Sequence, residues 1–148
     1  MTLSNKDLIN ILSDLRETNI DLRKTYETAA ENVDDTTLRN KFTQLSEQNQ
    51  RFATELENEI SNLGERPKSD GSFVGTLHRG FMDIRSAFSK NDVPAMIDEC
   101  IRAEKMAIDN YEDALNNDFP ANVQTLVSRQ YGALKSVRED LKNLKTSY

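Results

Sequence analysis

Four stretches of this chain obey one rule: an inward-type residue recurs every three or four positions, seven or eight times, with charged residues between. Steps of that size lay side chains along one face of an α-helix, because 3.6 residues complete a turn. The first stripe reads Leu8, Leu12, Leu15, Asn19, Leu22, Tyr26, Ala29 and Val33. The second reads Leu38, Phe42, Leu45, Asn49, Phe52, Leu56, Ile60 and Leu63. A third runs through Val93, Ile97, Cys100, Glu104, Ala107, Tyr111 and Leu115, and a fourth through Val123, Val127, Gln130, Leu134, Val137, Leu141 and Leu144. One apolar stripe per helix and a solvated back is the pattern of an all-α bundle.

The punctuation agrees with the stripes. Ser4 can cap the first helix, with Asp7 three residues on as a capping-box partner. Asp34-Asp35 breaks that helix and caps the next, and Gly64 sits where a helix ends. Glu65 to Gly71, with Pro67, reads as a loop. A shorter stripe follows: Phe73, Leu77, Phe81, Ile84 and Phe88, weakened by Gly75 and Gly80 at about 1 kcal/mol each relative to Ala. Asn91 or Asp92 caps the next helix, Pro94 lies in its first turn, and the last begins near Pro120. The spacing predicts helices at about 4–33, 35–63, 72–89, 92–117 and 120–146, in one domain spanning 1–148. A chain of this length buries roughly two-thirds of its unfolded surface, enough for a core without disulfides or metal.

The short break after the first long helix implies antiparallel neighbours. If the short middle helix runs back along the bundle, the long helices on either side of it are parallel. Two antiparallel hairpins joined by one long crossover make the ferritin-like four-helix bundle; an up-down-up-down bundle needs only a short link there.

Composition narrows the partners. The net charge of −6, with no basic cluster interleaved with aromatics, points away from nucleic acid and from an anionic membrane. Cys100 is the only cysteine, so an internal disulfide is impossible and a reducing compartment fits. The first residues show no basic stretch followed by an apolar core, and no apolar run reaches membrane-spanning length. A cytoplasmic protein is the expectation.

Each long helix carries one polar residue on its stripe near mid-helix: Asn19, Asn49, Glu104 and Gln130. In a bundle they can meet in one core layer, where each polar group needs a partner or costs about 1–3 kcal/mol. Such a layer either fixes helix register or marks a metal site. A di-iron carboxylate bundle uses a Glu from two helices and Glu-x-x-His from the other two. This chain has no Glu-x-x-His; the nearest form is Glu47-x-x-Gln50. No metal is therefore expected. Were one bound, iron or manganese in a di-metal arrangement, the ligands would come from Glu17, Asp21, Glu47, Gln50 and Glu104. Arg51 and Tyr131 are in phase to partner Glu104. The sole histidine, His78, lies beside Arg79 on the short helix, where the two with nearby aromatics can line a pocket.

A weak internal repeat supports two hairpins. Tyr26-Glu27-Thr28-Ala29 resembles Tyr111-Glu112-Asp113-Ala114, and seven residues before each Tyr stands a polar residue, Asn19 or Glu104. There is no phosphate-cradling glycine loop and no nucleophile elbow. Cys100, on the apolar stripe, reads as a buried structural thiol.

Taken together, these residues resemble a bacterial family of ferritin-like four-helix-bundle proteins catalogued as a domain of unknown function. The likeness is carried by Gly71-Ser72-Phe73-Val74-Gly75-Thr76-Leu77-His78-Arg79-Gly80-Phe81-Met82, by Glu99-Cys100 and Glu104, and by Tyr111-Glu112-Asp113-Ala114-Leu115. Tyr26, Ala29-Ala30-Glu31-Asn32-Val33, Gln50-Arg51-Phe52-Ala53 and Glu55-Leu56 extend it over nearly the whole chain. The resemblance implies the fold, a loose association with stress responses, and no catalysed reaction established for the family. It also marks Leu77 to Gly80 as a family segment, and analogy with related stress bundles and rubrerythrin-like proteins implies a homodimer. Where a metal-binding relative would place His, this chain shows residues such as Gln50, Arg51 and Arg138. The expectation is a non-catalytic, stress-associated structural or interaction protein without a cofactor. The alternative is a metal-binding or redox ferritin-like protein with an atypical site.

Overall fold

The computed structural model of the protein describes residues 3–66 and 92–148. Each helix begins where the sequence supplies a start signal. Helix α1, Asn5–Glu31, opens on Ser4, whose Oγ accepts the Asp7 backbone N–H at 3.1 Å. Helix α2, Thr36–Asn62, opens on Asp35, whose Oδ1 accepts the Leu38 N–H at 3.0 Å. Just beyond its end, Gly64 takes φ +82°, a left-handed conformation that costs glycine little. Helix α3, Val93–Leu115, is capped by Asp92 through the Ala95 N–H, with Pro94 in its first turn. Helix α4, Ala121–Lys145, follows Pro120 without a side-chain cap. The predicted short helix at 72–89, with His78 and Arg79, lies outside the described residues.

Contacts between helices fix their directions. Arg16 pairs with Glu57 and Arg23 donates to Gln50, so α1 and α2 are antiparallel. Arg129 pairs with Glu55 and Asn122 donates to Glu59, making α2 and α4 antiparallel. Lys145 pairs with Asp98 and Tyr131 donates to Glu112, so α3 and α4 are antiparallel too. Tyr26 meets Glu104 and Asn19 meets Tyr111, which sets α1 antiparallel to α3. Helices α2 and α3 therefore run the same way on one diagonal. A 27-residue helix is about 40 Å long, so the chain leaves α2 at the far end of the bundle from where it enters α3. That is the ferritin-like plan of two antiparallel hairpins with a long crossover, read from the described helices alone.

The stripes meet along the bundle axis. From Leu8 to Val33 and from Leu38 to Ile60 every stripe position is buried, as are those from Ile97 to Tyr111 and from Val123 to Leu141. Only the end positions Leu63, Val93, Leu115 and Leu144 are partly buried. Each fully buried Leu or Ile contributes about 1.5–3 kcal/mol. Helix α1 is covered more widely than its stripe predicts, since Ser13, Glu17, Thr18, Asp21 and Thr25 are buried as well. The two threonines are satisfied locally, donating to the carbonyls of Asp14 and Asp21 at 3.0 and 2.9 Å. Among the described residues no helix is long and apolar enough to cross a membrane.

Candidate functional site

Among the described residues, two buried polar pairs join α1 to α3. Each helix presents a polar residue and, seven positions later, a tyrosine: Asn19 and Tyr26 on α1, Glu104 and Tyr111 on α3. Seven residues are about two turns, roughly 10.5 Å. Because the helices are antiparallel, the polar residue of each stands level with the tyrosine of the other. The internal repeat is thus a reciprocal pairing, Asn19 with Tyr111 and Glu104 with Tyr26.

The first pair is complete. Asn19 Nδ2 donates to the Tyr111 hydroxyl at 2.7 Å and to the Leu15 carbonyl at 2.9 Å. Its Oδ1 accepts from Asn49 Nδ2 at 3.1 Å, which brings in α2. The Tyr111 hydroxyl donates to Gln130 Oε1 at 2.6 Å, which brings in α4. Gln130 Nε2 then reaches the Phe52 carbonyl at 3.2 Å and Glu55 Oε1 at 3.0 Å, and Glu55 pairs with Arg129 at the surface. One hydrogen-bonded chain links all four helices and ends in solvent.

The second pair is not. Glu104 is 1% exposed; its Oε2 accepts from the Tyr26 hydroxyl, and its Oε1 has no partner. The Tyr26 ring stacks on Phe42, centroids 6.3 Å apart, and Cys100 lies one helical turn before Glu104 on the same face. Burial pushes the Glu104 carboxyl up to about 8, an effect the Tyr26 hydrogen bond only partly offsets. The Tyr26 phenol is held well above its usual range by burial first, then by the charges of Glu104 and Cys100. The Cys100 thiol is raised by burial and by Glu104 and Glu99.

The polar residues foreseen on the four stripes therefore divide. Asn19, Asn49 and Gln130 join one network through Tyr111, while Glu104 stands a heptad away. Neither candidate partners it: Arg51 is exposed, and Tyr131 donates to Glu112 at 2.7 Å. The sequence reading places Tyr26 and Tyr111 on the stripes and in the internal repeat but gives neither a part in the polar layer, and it assigns no contact to Glu55 or Arg129. The equal seven-residue offsets on α1 and α3 are the signal that leads to the two tyrosines.

The five positions considered as ligands are dispersed. Buried Glu17 pairs with Arg16 at 2.8 Å, Asp21 is buried on α1, and Glu47 is exposed on α2. Gln50 accepts from Arg23, and Glu104 faces a phenol. Among the described residues no group of three or more His, Cys, Asp or Glu is placed to share a metal. The donor set does not fit the di-metal centre that the ferritin plan implies. Such a centre needs carboxylates and imidazoles converging from several helices, whereas here amides and a phenol satisfy one another.

Helix order, helix directions and interior define a ferritin-like four-helix-bundle protein. More particularly, the chain belongs to the family described as Domain of unknown function (DUF2383), which matches residues 7–117. Its fold is shared with solved structures of Mycobacterium smegmatis proteins. A point mutant of Dps1 superposes with a TM-score of 0.77 at 17% identity, covering 97% of this chain and 99% of that one. The tetragonal form of Dps gives 0.73 at 19% identity, covering 94% and 87%. A C-terminal deletion mutant of Dps gives 0.75 at 18% identity, covering 94% and 97%. No curated protein matches the sequence.

Proposed function

We propose that this chain is a non-catalytic, stress-associated structural or interaction protein that works as a cytoplasmic homodimer without a metal cofactor. The observation that carries this reading is the Asn49–Asn19–Tyr111–Gln130 chain, which fills the middle of the bundle with groups that satisfy one another. A network of this kind specifies register and pairing among four helices and engages its amides and phenol with one another. The lone buried Cys100 suits a reducing compartment.

Elemental analysis of untagged protein, before and after incubation with iron, manganese and zinc, tests the reading. Metal at background is the expected result. About two tightly held metals per chain would overturn it in favour of a metal-binding or redox role. Sedimentation of the same sample checks the dimer.

A further inference from the structure

Among the described residues four arginines are half-buried: Arg16, Arg23, Arg102 and Arg138. Arg16 pairs with Glu17 and Glu57, Arg23 with Glu27, and Arg102 with Glu99. Arg138 pairs with no carboxylate, and its Nε is buried without an acceptor. A guanidinium is always charged and holds five donors in a planar fork, a shape that matches the oxygens of an oxyanion. Arg138 lines a groove of about 790 Å³ in the seam between α3 and α4. The Tyr131–Glu112 and Lys145–Asp98 contacts align these antiparallel helices. Seven residues on from Tyr131 and seven before Glu112, Arg138 stands level with Lys105, and by the same alignment Lys135 stands level with Ile108. All four line the groove. Lys105 is held by Asp109 at 2.5 Å, and Lys135 sits over the Tyr131 ring, 4.3 Å from its centroid.

We propose that this groove binds a phosphate group, with Arg138 as its bidentate partner and Lys105 and Lys135 as flanking charges. Two ammonium groups beside the guanidinium fork favour a dianion over a single carboxylate. Glu112, Glu139 and Asp140 line the groove as well, and none of them answers Arg138. Glu112 accepts the Tyr131 hydroxyl, and Glu139 pairs with Lys142. Asp140, two residues after Arg138, points about 200° away from it around α4. These three carboxylates and the net charge of −6 oppose an extended polyanion, so the ligand carries one phosphate group and is not a nucleic-acid backbone. The volume is that of a small-molecule site and exceeds what a phosphate alone fills. At Gly132 its wall lacks a side chain, and a Cβ there would meet nothing within 4 Å. That space, with Ile108, suits the organic part of a phosphate monoester. The site needs neither a metal nor a second chain, so it can fail while the structural role stands, and the reverse.

The test is isothermal titration calorimetry of the full chain at pH 7 and low salt, with inorganic phosphate, phenyl phosphate and acetate as probes. One saturable phosphate site per chain is expected, weakened about tenfold or more in Arg138→Gln and less in Lys135→Gln. Arg138→Lys keeps the charge and loses the fork, and should bind nearly as weakly as Arg138→Gln. Arg51→Gln, an exposed position on α2, should leave binding unchanged. Tighter binding of phenyl phosphate than of inorganic phosphate marks a phosphorylated metabolite as the ligand, and equal binding marks free phosphate. No saturable phase with either phosphate probe, acetate bound as tightly as phosphate, or a folded Arg138→Gln protein that binds like the parent overturns the proposal. If Arg138→Gln does not fold by circular dichroism, Gly132→Phe, which fills the groove from open space, decides the question by the same loss.

Discussion

The bundle contains the same motif twice and completes it once. At Asn19 and Tyr111, α2 contributes Asn49 and α4 contributes Gln130, so amide and phenol find donors and acceptors on every side. At Glu104 and Tyr26 the covering residues include Phe42 and Cys100, and one carboxylate oxygen is left without a donor. A polar residue in a core is tolerable when the flanking helices answer it. Where they do not, the group adjusts its protonation instead.

The largest consequence is a pH dependence centred on the incomplete pair. Folded, Glu104 keeps its proton up to about 8; its ordinary carboxyl value is 4.5. Between those values the folded chain binds one more proton than the unfolded chain, so stability falls as pH rises and the contribution is lost by about 8. The full drop is on the order of 5 kcal/mol, about half of it between pH 6 and 8. Asp14 adds a slope of the same sign, raised to about 6 by burial and by Glu17, so among the described residues the interval from 6 to 8 belongs to Glu104. Denaturant unfolding at pH 6 and 8 should show the loss in the parent and little in Glu104→Gln. Parallel behaviour of the two proteins would mean that the two pairs do not differ as described.

Removing each tyrosine hydroxyl sharpens the contrast. At pH 6, Tyr111→Phe should cost about 2 kcal/mol, because Gln130 Oε1 loses its donor in the core. Tyr26→Phe should cost nearer to 1 kcal/mol there, since its partner is then a neutral acid that already lacks one contact. Equal costs, or the reverse order, would break the comparison. The smallest effect belongs to the solvent end of the complete chain. Arg129→Ala removes an exposed pair with Glu55 and should cost about 0.5 kcal/mol or less, measured in the same titrations.

Much of the fold is legible in the residues themselves. The periodic stripes identify the buried face of all four long helices, and Ser4, Asp35 and Gly64 mark boundaries that the structure uses. The polar positions Asn19, Asn49, Glu104 and Gln130 are legible as exceptions on those stripes, and all four are buried. Their grouping is not. Periodicity states where a side chain points around its own axis, not which residue of a neighbouring helix stands level with it. Arg51 turns to solvent and Tyr131 reaches Glu112, so neither meets Glu104; the first misses in phase and the second in level. The buried Thr18 and Asp21 show the same limit, since coverage of α1 comes from more than the face its apolar residues mark.

The amino-acid sequence by itself determined four long amphipathic helices, their caps and their inward faces, because local periodicity and capping chemistry act within a few residues of the chain. Only the tertiary structure decided that Asn19 meets Tyr111 while Glu104 meets Tyr26, and that one pair is answered by α2 and α4 and the other is not. Those outcomes depend on the axial alignment of helices joined through distant segments, an alignment set by the packing of the whole core.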